Sequence, residues 1–174
     1  MLRQFIEWLI KLLQVKLDTL PKEEPKTEIK PSVPPISHIP WYDIALKEVG
    51  TKETAGDVDS KRVLEYQKAT TLMATDDETP WCSSFVCWCL EKAGYKSTNS
   101  SWAKSYLKYG TEMTTPKQGC IAVLTRGPKN GHVAFYVGHN ENGTVSLLGG
   151  NQSNSVCIKS YPASMILGYR WPVK

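Results

Sequence analysis

Cys82 stands in the run Thr79-Pro80-Trp81-Cys82-Ser83-Ser84-Phe85-Val86, and His132 follows in Gly131-His132-Val133. A thiol in the first turn of a helix and an imidazole on a later strand are the two groups that nucleophilic cysteine chemistry requires. Thr79 has the side chain of a helix N-cap, and Pro80 suits the first helical position. Cys82 then falls where unsatisfied backbone N–H groups and the helix dipole favour negative charge. Both effects favour thiolate, the nucleophilic form. An inert thiol would waste that placement, because Trp81 and Phe85 already supply apolar bulk.

Of the three histidines, His38 lies in a proline-rich stretch and His139 at a hairpin edge, which leaves His132 as the candidate base. It opens a strand after the turn Gly127-Pro128-Lys129-Asn130-Gly131, where a scaffold can hold a base firmly beside an accessible loop. A third polar group must hold the ring's tautomer. Asn151, after Leu148-Gly149-Gly150, is the expected one, its amide oxygen accepting from one ring nitrogen and leaving the other to face Cys82. Gln152 is the alternative, and Asn151 could instead do no more than begin a turn over 151–154. The two glycines would let backbone or substrate come close.

Trp81, Asp77, Trp102 and Gln152 are the candidate substrate contacts. Asp77 belongs to the run Asp76-Asp77-Glu78, in the plain reading a solvated loop with a favourable helix dipole. In the sharper one it receives a cationic part of a substrate or a calcium ion. Trp41, Trp81, Trp88, Trp102 and Trp171 are of a kind found more often in cores than under sugars. Trp102, flanked by serine and asparagine residues, is the one expected to face a ligand. No Cys-x-x-Cys pair occurs among the five cysteines, and the 82/87/89 spacing suits no common zinc module. No metal centre and no cofactor is therefore expected, calcium aside. Cys87, Cys89, Cys120 and Cys157 read as small buried hydrophobes, with a Cys120–Cys157 bridge open if their strands are neighbours.

These side chains need a scaffold, and the pattern of the chain supplies one over residues 41–174. Helices are expected over 41–49, closed by Gly50, and over 59–69. The nucleophile helix should span 80–93 with Gly94 as its stop, and a shorter helix 101–109. After Pro116 the apolar residues change to period two or short runs. Five strands are expected, over 120–125, 132–138, 144–148, 155–161 and 166–171, with Asn140-Glu141-Asn142-Gly143 as a hairpin turn. Helices followed by a mostly antiparallel sheet make an α+β domain, the nucleophile helix lying on one sheet face.

Residues 1–17, MLRQFIEWLIKLLQVKL, repeat with a helical period. Their regularly spaced charges fit neither a transmembrane span nor a secretion signal. Two readings stand: a helix packed on the domain or on its own copy, and an amphipathic anchor at a membrane surface with Trp8 at the interface. Residues 18–40 hold six prolines among lysines and glutamates, the composition of a semi-rigid spacer. The whole chain, 174 residues with 41% hydrophobic and 22% charged residues, has room for one domain with a real core. Its net charge of +4 and the lack of basic clusters interleaved with aromatics argue against a nucleic-acid partner.

The chain resembles the NlpC/P60 and CHAP group of papain-like peptidoglycan hydrolases, nearest to a small phage-associated branch with tryptophan before the cysteine. The likeness rests on Trp81-Cys82-Ser83-Ser84-Phe85-Val86, Gly131-His132-Val133-Ala134-Phe135-Tyr136-Val137-Gly138, Leu148-Gly149-Gly150-Asn151-Gln152 and Gly168-Tyr169-Arg170-Trp171-Pro172. Glu48-Val49-Gly50, Lys52-Glu53 and Gly56 add to it. Gly149 stands where many CHAP relatives carry an acidic residue, and Cys120 where many relatives carry aspartate. The resemblance implies a papain-like fold and the set Cys82, His132 and Asn151. It further implies hydrolysis of a stem-peptide amide of peptidoglycan, as in a phage lysin, by a protein made in the bacterial cytoplasm and acting at the wall. A cysteine acyltransferase or deamidase on the same fold, and a non-catalytic phage structural or wall-binding module, are the competing expectations.

Overall fold

The computed structural model describes residues 38–54, 56 and 58–174. The expected helix 1–17 and the linker as far as residue 37 lie outside the described residues. Helix α1, Pro40–Lys47, starts with proline at its first position, where no N–H is needed, and buries Trp41, Tyr42 and Ala45. Helix α2, Lys61–Gln67, buries Val63, Tyr66 and Gln67. Helix α3, Cys82–Lys92, is buried at every residue from Cys82 to Leu90, so it is the central helix rather than a surface one. It stops as expected at Gly94. That glycine takes a left-handed φ of 76° while its N–H and that of Tyr95 reach back to Glu91 and Leu90, satisfying the last carbonyls. The segment expected as a fourth helix is a 3-10 turn, Ala103–Lys108.

The sheet has six strands, all antiparallel: β1 Thr111–Met113, β2 Ile121–Arg126, β3 Asn130–His139, β4 Thr144–Gly149, β5 Cys157–Pro162 and β6 Ile166–Trp171, in the order β1-β6-β2-β3-β4-β5. Five strands fall where the apolar patterning puts them. The sixth, β1, is three residues without apolar alternation, and pairing with β6 alone makes it a strand. Ser155 and its surroundings leave the expected fourth strand to bridge Lys52 instead.

Strands β2 and β3 are buried on both faces, which explains their nearly continuous apolar runs. Val123, Val133 and Phe135 pack with Trp41, Tyr66, Trp81 and Phe85 between sheet and helices. The alternate residues Ala122, Leu124, Ala134 and Tyr136 meet Val145, Leu147 and Tyr161 on the other face. Strands β2 and β5 are separated by β3 and β4, three strand spacings or roughly 14 Å. The Cys120–Cys157 bridge is thereby excluded, and all five cysteines are free thiols.

Candidate active site

Helix α3 begins at the thiol itself. Trp81 is its N-cap and makes no side-chain cap, so Thr79 lies too early to serve as one. The Thr79 N–H is instead taken by Asp76 Oδ1 at 2.6 Å, which closes the preceding loop. Trp81 is buried in the core, its Nε1 donating to Glu53 Oε1 at 2.7 Å. The end of β4 runs directly over it: a Cβ at Gly150 would meet the Trp81 ring at 2.4 Å and Phe85 Cβ at 2.7 Å. Gly150 is thus the residue that lets the strand carrying the polar groups approach the nucleophile helix.

Cys82 is 6% exposed. Burial pushes its thiol up, against the Val133 N–H, the Arg126 charge and the N–H groups of Ser83 and Cys82, all of which favour thiolate. The helix start therefore does not prevail over desolvation in the resting protein. The Val133 contact also locates the sulfur against β3, beside the residue that follows His132.

His132 is fully buried, its Nε2 3.1 Å from Gln152 Oε1. The orientation of that amide is fixed by its other end. Gln152 Nε2 donates to the carbonyls of Cys157 at 2.5 Å and Leu147 at 3.3 Å, which can only accept. The oxygen therefore faces the ring, also accepting from Tyr161 Oη at 3.0 Å, and His132 Nε2 must carry the hydrogen. Nδ1 is left as a bare lone pair, buried with no hydrogen-bond partner among the described residues. Leaving such an atom unpaired costs about 1–3 kcal/mol, so its presence calls for a role. Burial first, then the Arg126 charge, lowers the imidazole to about 4 against the pull of the Gln152 bond, so the ring is neutral at pH 7.

The structure gives the place beside the ring to Gln152, and the expectation that Asn151 lies there is corrected. Asn151 adopts a left-handed φ of 54°, which asparagine tolerates, and its Nδ2 donates to Glu53 Oε1 at 2.7 Å. Gln152, one residue on and one methylene longer, reaches the ring instead. Asn151 does line the cleft, a cavity of about 310 Å³ that it shares with Pro80, Cys82, Trp102, Arg126 and Gly131. Trp102 stands at its mouth, 57% exposed. Asp77 does not line it. That carboxylate is buried and accepts the N–H groups of Thr54 and Ser60 at 2.9 and 2.7 Å, tying two loops together. Oxygens of Asp59, Asp77 and Glu78 lie within 4.8 Å of one another, a set of the kind calcium uses.

Two residues that the motifs give no role belong to the site. Glu53, part of the resemblance but given no role by it, braces Trp81 and Asn151 at once through contacts distant in sequence. Arg126, at the end of β2, lines the cleft and acts on both Cys82 and His132. Its position in the closing pair with Asn130 was the available signal.

Residues 74–151 match the family model of the CHAP domain, a match consistent with the NlpC/P60-CHAP superfamily. It takes in Cys82, His132 and Asn151 and stops one residue before Gln152. The observed α+β architecture is consistent with the CHAP fold, and the match suggests an amidase-like function on peptidoglycan. No curated protein matches the chain.

Proposed function

We propose that this protein is a peptidoglycan hydrolase of phage-lysin type, acting at the cell wall and cleaving an amide bond of the peptide stem through an acyl-enzyme. Cys82 is the nucleophile, His132 the acid and base, and Gln152 the residue that positions the ring. The observation that carries this reading is the unpaired Nδ1 of His132, held as an acceptor by the locked Gln152 amide, on the strand against which the Cys82 sulfur lies.

In the first half-reaction Sγ attacks the carbonyl carbon as its proton passes to His132 Nδ1. The imidazolium so formed is stabilised by its Nε2–H bond to Gln152, and it returns the proton to the leaving amine as the C–N bond breaks. Water then attacks the thioester, giving its proton to Nδ1. The carboxylic acid departs and the thiol is restored. The backbone N–H of Cys82, at the unsatisfied start of α3, is placed to serve the oxyanion. At rest both groups are held neutral by burial, which raises the thiol and lowers the imidazole.

Mass spectrometry of muropeptides released from purified sacculi tests the reading. Wild type is expected to release new products whose masses name the bond, and Cys82→Ala none, with its circular dichroism unchanged. Products from both proteins, or from neither, would overturn it, and neither would favour acyl transfer or deamidation on the same fold.

A further inference from the structure

The structure describes three arginines, and two of them are spoken for. Arg62 meets Glu48 and Glu65 at 2.6 Å each, and Arg170 meets Glu112 at 2.8 Å. Arg126 is exposed, lines the cleft beside Cys82, reaches the hydroxyl of Tyr161 and meets no carboxylate among the described residues. Its place is not loose. It closes the β2–β3 hairpin opposite Asn130. The turn beyond it is held by Lys104, whose Nζ donates to Pro128 O at 3.0 Å and to Gly127 O at 3.4 Å. Lys104 also packs on Gly131, where a Cβ would meet its Cγ at 2.9 Å. The hairpin is thus fastened to the segment that carries Trp102, and a guanidinium and an indole stand on the same cleft as the thiol.

We propose that Arg126 is a specificity-determining residue that receives a carboxylate of the substrate, carried near the scissile amide. This rests on the hydrolase reading and deepens it: the preferred stem is one whose carboxyl group next to the cleaved bond is free rather than amidated. A planar guanidinium binds a carboxylate with two parallel N–H···O bonds, and a carboxamide forfeits both the charge and half of that fork. Trp102 offers an apolar face to the same stem. An arginine already paired within the protein, as Arg62 and Arg170 are, would have no such capacity.

The test is a matched pair of soluble muropeptides, identical except that one carries a free carboxylate and the other a carboxamide beside the cleaved amide. Full-length wild type is expected to favour the free acid by on the order of 10- to 100-fold in kcat/KM, the range of a charge-assisted hydrogen bond. Arg126→Gln should bring that ratio close to one, and Arg126→Lys, which keeps the charge without the fork, should fall between. Equal cleavage of both peptides by wild type would overturn the proposal while leaving the hydrolase reading in place. An undiminished ratio in Arg126→Gln would do the same. Cleavage of neither peptide by wild type would overturn the hydrolase reading and this inference with it. The wild-type comparison decides even if a variant fails to fold.

Discussion

His132 enters the interior uncharged, and this has a signature in pH. An unperturbed histidine titrates near 6.5, and here burial lowers the ring to about 4. Between those values the unfolded chain binds a proton that the native one refuses. The stability in question is therefore fully present above about pH 6.5 and is lost progressively as pH falls to about 4, roughly 3 kcal/mol in all. Unfolding midpoints measured from pH 4 to 7 should show wild type losing stability more steeply than His132→Gln on the acid side, and parallel curves would refute the assignment. Cys82 and His132 were legible in the sequence because residue type, turn residues and helix start coincide there. The choice between Asn151 and Gln152 was not. It is decided by a left-handed backbone at position 151; the turn over 151–154 was readable as an alternative, but which side chain it carries to the ring was not. The state of the thiol was also hidden, since desolvation is a property of the packed site.

At the level of elements, periodicity located the central helix, its glycine stop and five strands, because each buries a face whose spacing is written in the chain. It missed β1, which has no face of its own and exists through β6. The contact that brings the polar groups over the thiol is equally non-local: the chain at the end of β4 crosses α3 at Gly150. Gly150→Ala would force a methyl group into the Trp81 ring and Phe85, an overpacking that costs about 1–3 kcal/mol. Its unfolding midpoint should fall by roughly 2–4 °C for each kcal/mol. Activity should fall further than stability, since Trp81 immediately precedes the nucleophile. Gly138→Ala is the control, because a Cβ there meets nothing within 4 Å. Equal behaviour of the two variants would mean that the close approach is dispensable.

For the molecule as a whole, the sequence left a Cys120–Cys157 bridge open, and sheet order closes that question. Denatured protein should titrate as five thiols, and a reductant should leave the unfolding midpoint unmoved. In the native state Cys157, the half-buried one, is expected to react first with a thiol reagent. Cys82 should follow slowly, and Cys87, Cys89 and Cys120 should stay protected. Peptide mapping of the labelled protein checks the order, and rapid labelling of Cys82 ahead of Cys157 would contradict the neutral, desolvated thiol. The Gln152 clamp has a further consequence in time. Its amide oxygen also takes the hydroxyl of Tyr161 from β5, far beyond Cys82 in the order of synthesis. During synthesis Cys82 therefore emerges before the carbonyls that lock Gln152, and on the proposed mechanism a chain ending before β5 would lack an oriented base. On that reading the order of synthesis keeps the thiol idle until β5 is in place.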